Sequence, residues 1–227
     1  MAAKSSDSTD QAGKDAVPMV RGVRRRDEIV ATAESVFLES GYTETTMQTV
    51  AARAGASKET LYRHFGSKEG LFAEVMNRRA RSLTERLDPG LDRPRALADA
   101  LRDLGINLLE QMTSPSVTAL LRIVVAESPR DPTLGRIFYS LGPERTRAQL
   151  AEFLSAARDR GEFTGSHPSL SASIFLGAIM SMTHTARLVL QDPPPMSRTE
   201  IEERVDEVVA MFLLRYVPVH PPRSPAE

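Results

Sequence analysis

The chain has 227 residues, enough to bury one large core or two modest ones, and its 41% apolar and 26% charged residues are those of a soluble globular protein. With 29 basic and 30 acidic residues its formal net charge is -1, so any nucleic-acid binding must rest on local charge rather than on a polycationic whole. Cysteine is absent, which excludes disulfides, thiol nucleophiles and cysteine-ligated zinc and fits a reducing compartment.

The first stretch, residues 1–20, is small, polar and mixed in charge, and is expected to be a disordered arm. It has no apolar core and does not read as a signal peptide. Four arginines without an acid follow (Arg21, Arg24, Arg25, Arg26), a local positive patch. A first helix is predicted from Arg24 to Ser40, with Ile29, Val30, Ala33, Val36 and Phe37 at helical spacing and Gly41 as its stop. A second opens at Thr45, where Thr45-x-x-Gln48 has the form of a capping box. Gly55 turns the chain, Ser57 caps a third helix with Leu61 and Phe65 facing inward, and Gly66 ends it. Ser67 caps a fourth helix, with Glu69 in its first turn, running to Asp88-Pro89-Gly90.

Beyond it only helices are predicted. They run from Pro94 to Met112, from Ser114-Pro115 to Ser128-Pro129, and from Leu134 to Arg160 with a possible break at Gly142-Pro143. Two more run from Pro168 to Gln191 and from the capping box Ser197-x-x-Glu200 to Tyr216. The Pro-rich end, residues 218–227, is expected to be a flexible tail. The most apolar stretch, Ile174 to Leu190, is interrupted by Ser, Thr, His and Arg, so no membrane span is expected.

Two short capped helices joined at a glycine make a helix-turn-helix, whose second helix enters the major groove of double-stranded DNA. Inward Leu61 and Phe65 send Lys58, Glu59, Tyr62 and Arg63 outward, with Thr60 and His64 near the phosphates. Arg63 suits a guanine edge, Tyr62 a thymine methyl or a phosphate, and Lys58 and Lys68 phosphates. Thr45 and Thr46 offer hydroxyls and amides at a helix N-terminus. Glu59 either accepts from a cytosine amine or points away.

The residues Thr45-Thr46-Met47, Val50-Ala51-x-x-Ala54-Gly55, Ser57-Lys58-x-Thr60-Leu61-Tyr62-x-His64-Phe65 and Ser67-Lys68-Glu69-x-Leu71 resemble the tetracycline-repressor (TetR) family over about residues 24–72. The resemblance implies an all-α, homodimeric transcriptional regulator, usually a repressor, with a helix-turn-helix domain (residues 21–68) and a larger helical ligand-binding and dimerisation domain (residues 69–217). Carried over by position, the DNA-contact candidates are Thr46, Gln48, Lys58, Thr60, Tyr62, Arg63, His64 and Lys68, with Thr45 added by its place at the helix start.

Dimerisation is expected through the last two helices, at Phe175, Ala178, Met182, Val205, Val209 and Phe212, since a palindromic operator needs two reading heads. A pocket for an unidentified small-molecule effector is expected between the middle helices, with Leu104, Leu108, Met112, Leu120, Phe138, Tyr139, Phe175, Met180 and His184 as candidates. Arg122 and Arg187 would meet an anion or pair with an acid such as Glu127. The four histidines have no metal-binding spacing, no GxSxG or phosphate-cradling loop occurs, and Glu202-Glu203 diverge on a helix. The sequence therefore predicts a cytoplasmic regulator without catalysis, metal or cofactor. Its rivals are an activator and a ligand-binding helical protein that has lost its operator.

Overall fold

The computed structural model describes residues 18–84 and 96–217, with side chains from Arg24 onward except that of Ser181. The expected arm over residues 1–17, the Asp88-Pro89-Gly90 break, the start at Pro94 and the tail from Pro218 lie outside the described residues.

Every described element is helical. The helices are α1 (Pro18–Glu44), α2 (Met47–Ala54), α3 (Lys58–Phe65), α4 (Lys68–Thr84), α5 (Leu97–Thr113) and α6 (Pro115–Glu127). After them come α7 (Pro132–Tyr139), α8 (Arg145–Asp159), α9 (Pro168–Val189) and α10 (Arg198–Tyr216). Helix α1 starts at Pro18, inside the arm expected to reach residue 20, and is interrupted at Gly41 (φ 78°). The break anticipated at Gly142-Pro143 is a widening instead: Ser140–Glu144 forms a π-helical turn joining α7 to α8. Pro143 has no N–H to give to an α-helical ladder, and a wider turn absorbs that loss without ending the helix.

The helix ends follow their capping chemistry. Ser114 accepts from the Val117 amide, Asp131 from the Thr133 amide, and Ser197 and Glu200 form the reciprocal box that starts α10. The N-cap of α2 is Thr46, which accepts from the Thr49 amide at 3.1 Å; the expected box on Thr45 and Gln48 does not form.

The buried side chains form two clusters whose division does not follow the chain. One gathers Ile29, Val30, Phe37, Tyr42, Val50, Leu61, Phe65, Leu71 and Phe72 from α1–α4, and also Leu120, Val124 and Leu134 from α6 and α7. Phe37, Tyr42 and Phe72 are its centre, with ring centroids 5.5–5.6 Å apart. The other joins Leu83 at the end of α4 to α5, α8, α9 and α10. There Gly105 of α5 lets the backbone approach α10 so closely that a Cβ would sit 2.9 Å from Val205 Cγ1 and 3.1 Å from Ile179 Cδ1. Helix α4 thus begins in one cluster and ends in the other, while α6 and α7 pack with the reading head.

Candidate nucleic-acid interface and effector cavity

The turn between α2 and α3 is held from three sides. Gly55 adopts φ 60°, ψ 38°, a left-handed conformation that an L side chain resists. The Ala56 amide donates back to Ala51 O at 2.9 Å. From α1, Arg25 Nη2 donates to both Ala54 O and Gly55 O at 2.7 Å, satisfying carbonyls that the end of α2 leaves free. Ser57 caps α3 by accepting from the Thr60 amide at 3.2 Å, and Leu61 and Phe65 anchor the helix in the core.

With its inner face fixed, α3 exposes Lys58, Glu59, Tyr62, Arg63 and His64, and Tyr62 remains 45% exposed. Lys58 Nζ lies 5.8 Å from the Tyr62 ring centroid. Neither Lys58 nor Arg63 forms an ion pair among the described residues. Gln48 and Thr46 are exposed beside this face and Thr60 is half-buried. Glu59 turns back on its own helix end: its backbone amide and the Ser57 hydroxyl hold its carboxyl below the usual glutamate range. The face offered outward is thus cationic, aromatic and hydrogen-bonding.

Two predicted DNA residues stand elsewhere. Thr45 is 1% exposed, and its hydroxyl donates to Gly41 O at 2.6 Å, so it closes the end of α1 rather than facing a phosphate. Lys68 Nζ donates to Tyr42 O at 2.8 Å and Thr43 O at 3.3 Å and sits 4.4 Å from the Tyr42 ring centroid. That lysine ties the start of α4 to the end of α1, where carbonyls lack helical partners.

The arginine run also acts within the protein. Arg26 bonds Glu74 of α4 at 2.7 Å and stacks 5.5 Å from the Phe65 ring centroid; Arg24 pairs with Glu28 on the surface at 3.5 Å. Burial alone would push the Glu74 carboxyl up, but Arg26 and Arg81 together hold it below the usual range. The architectural roles of Arg25 and Arg26 are not legible in the sequence, because a run of like charge reads as a surface patch. Their acceptors, a turn and a glutamate far along the chain, have no local signal.

A cavity of about 290 Å³ opens where the two buried clusters meet. Met76, Ala80 and Leu83 of α4 form one wall, and Leu108, Gln111 and Met112 of α5 another. Val117 and Leu120 of α6, Phe138 of α7 and the π-turn residues Gly142 and Pro143 close it on the head side. Thr146, Leu176, Met180, His184 and Arg79 complete the lining. Six of the expected residues, Leu108, Met112, Leu120, Phe138, Met180 and His184, are therefore brought together. The other three are not: Leu104 and Phe175 lie in the α5–α10 core, and Tyr139 points away at 61% exposure. Arg122 donates to Arg187 O at 3.1 Å and to Leu190 O, while Arg187 donates to Pro194 O at 2.9 Å. Both arginines are occupied with carbonyls rather than with Glu127, which accepts from Thr43 at 2.8 Å.

Helices α9 and α10 carry a second apolar face. Leu170, Ile174, Ala178 and Met182 follow one another along α9 at four-residue steps, all exposed, with Met211 and Leu214 exposed on α10. Phe175, Val205, Val209 and Phe212, expected at a dimer seam, are instead buried within the subunit, Phe175 meeting Phe212 at 5.3 Å. Both helices are apolar on two faces, so spacing alone does not say which face stays inside. Among the described residues no single helix is long and apolar enough to cross a membrane; two segments of α9 pass such a test only jointly, across a 54° bend.

Described elements that are all helical, with a pinned helix-turn-helix among them, define a DNA-binding regulator. Over residues 29–75 the chain matches the family described as bacterial regulatory proteins, tetR family, and over residues 99–218 the AefR-like transcriptional repressor C-terminal domain. It belongs to the TetR family of transcriptional regulators. Among curated relatives it is 27% identical over 151 residues to the regulator YezE of Bacillus subtilis, covering 63% of this chain and 75% of that one. It is 31% identical over 142 residues to the transcriptional activator FasR of Mycolicibacterium smegmatis, covering 56% of this chain and 64% of the relative. Among solved structures it is similar to a TetR-family regulator from Mesorhizobium loti (TM-score 0.72, 30% identity, 87% of this chain and 99% of the other). It is also similar to the flavonoid-responsive regulator FrrA (TM-score 0.66, 32% identity, 87% and 100%).

Proposed function

We propose that this regulator is a cytoplasmic homodimeric repressor that holds a palindromic operator through α3 and lets go when a small molecule fills the cavity between its two cores. The observation that carries the DNA half is the outward face of α3: Lys58, Tyr62, Arg63 and His64 are exposed on a helix fixed at both ends. Thr46, Gln48 and Thr60 flank it at the groove edge. Two copies, joined through the exposed face of α9 and α10 with Ala178 and Met182 near its middle, would set two such helices in successive major grooves, ~34–36 Å apart.

The position of the cavity supports release by a ligand. Its walls come from both packing units, so an occupant changes their spacing and favours one arrangement over the other. FrrA, named as flavonoid-responsive, supports an effector-answering reading of the shared fold. Gel shift with DNA flanking the protein's own gene tests the proposal. We expect a sequence preference that persists at moderate salt, where nonspecific binding weakens; loss of all preference there would sink it. Since the relative FasR is an activator, a promoter–reporter fusion with the gene present and deleted fixes the sign. Higher output on deletion is the expected result.

A further inference from the structure

The cavity's electrostatics are one-sided. Its lining includes Arg79 and His184 but no Asp or Glu, and the rest of the wall is nearly all hydrocarbon. Three buried side-chain polar atoms lack a hydrogen-bond partner among the described residues: Arg79 Nε, Thr118 Oγ1 and Gln149 Oε1. Of their residues, only Arg79 lines the cavity. A buried guanidinium N–H without an acceptor is costly, and an anionic oxygen is its strongest acceptor.

Arg79 also ties the cavity wall to the reading head. Its Nη2 is bonded to Glu34 of α1, in the reading head, and donates to Ser116 Oγ at the start of α6 at 3.1 Å. Any anion that draws the guanidinium into the cavity competes with Glu34 for the same charge. We propose that the effector is an amphipathic weak acid, a carboxylate or phenolate on an apolar body, whose oxygen accepts from Arg79 and weakens its bond to Glu34. The proposal rests on the ligand-release reading above and names the chemical class and the contact that couples the sites. On size, an apolar cavity of about 150 Å³ holds one benzene, so this one suits a body of about two rings.

The test is calorimetry on the full chain with three probes of one shape: para-phenylbenzoate, para-phenylbenzyl alcohol and para-phenylbenzylamine. We expect the carboxylate to bind about tenfold tighter than the alcohol, and the amine weakest. Arg79→Gln should reduce the carboxylate to the level of the alcohol. Glu34→Gln should raise carboxylate affinity several-fold, because the competitor is gone. A purely structural role for Arg79 would not move the two variants in opposite directions. Equal or weaker binding of the carboxylate, absence of carboxylate binding, or a Glu34→Gln variant that binds it less well would each overturn the proposal. Because binding is read without DNA, a missing operator would fail the repressor reading alone. An operator-binding protein without acid preference would fail this one alone.

Discussion

Lys58 and Lys68 are the same residue type, each the first residue of its helix, yet they do different work. Lys58 is exposed beside Tyr62, while Lys68 is spent on the Tyr42 and Thr43 carbonyls and the Tyr42 ring. Tyr62→Ala or Arg63→Ala should weaken operator binding by about 1–2 kcal/mol, roughly tenfold, in a gel-shift titration, with the melting temperature unchanged. Lys68→Met should instead lower stability by about 1–2 kcal/mol in urea unfolding, since it strands two carbonyls. Glu74 gives a pH signature. Its folded value is depressed, so its contribution is full above the ordinary glutamate value of about 4.3 and is lost as pH falls through the depressed one. Glu74→Gln should therefore cost about 2 kcal/mol near neutrality, and the gap to the parent should close in denaturant midpoints measured as pH drops below that value. The exposed face of α3 is legible in the sequence because two inward residues fix its rotation. What Thr45, Lys68, Arg25 and Arg26 bind is not, because their partners are backbone carbonyls, a ring and a distant glutamate that one helix does not reveal.

At the level of elements, the helices themselves were legible because serines, prolines and glycines punctuate the chain where the capping chemistry requires them. Ser57, Ser114 and Ser197 all cap as expected, whereas the start of α2 shifted by one residue because Thr45 is pulled inward by Gly41. Pro143 looked like a break, but a π turn keeps α7 and α8 joined and places Gly142 and Pro143 on the cavity wall. Helix–helix distance was not legible, and Gly105 shows why: its value lies in the side chain it does not carry. In an isolated helix alanine would gain about 1 kcal/mol over glycine. Here Gly105→Ala should be destabilising by about 1 kcal/mol in thermal unfolding, because Val205 is β-branched and has little room to turn. Pairing it with Val205→Ala should recover part of the helix-propensity gain.

For the molecule as a whole, the all-α class and the regulator family were readable, but the assignment of apolar faces was not. Of the residues expected at a dimer seam, Ala178 and Met182 are exposed and the rest hold the subunit together. Met182 is 73% exposed and Leu214 82%, a cost in water that a second copy would remove. Met182→Glu combined with Leu214→Glu should convert a dimer to a monomer by light scattering and abolish tight operator binding, while leaving helical content unchanged. The packing of α6 and α7 with the head has a practical meaning for anyone exchanging parts between relatives. A hybrid joined after α4 would lay a foreign Leu120, Val124 and Leu134 against this chain's Phe37 and Phe72 neighbourhood. Such a graft is expected to misfold or lose its response, whereas one that moves α6 and α7 together with α1–α4 keeps the contact surface intact. The unit to exchange in this regulator is thus discontinuous in sequence, two separate stretches that have to be moved as one part.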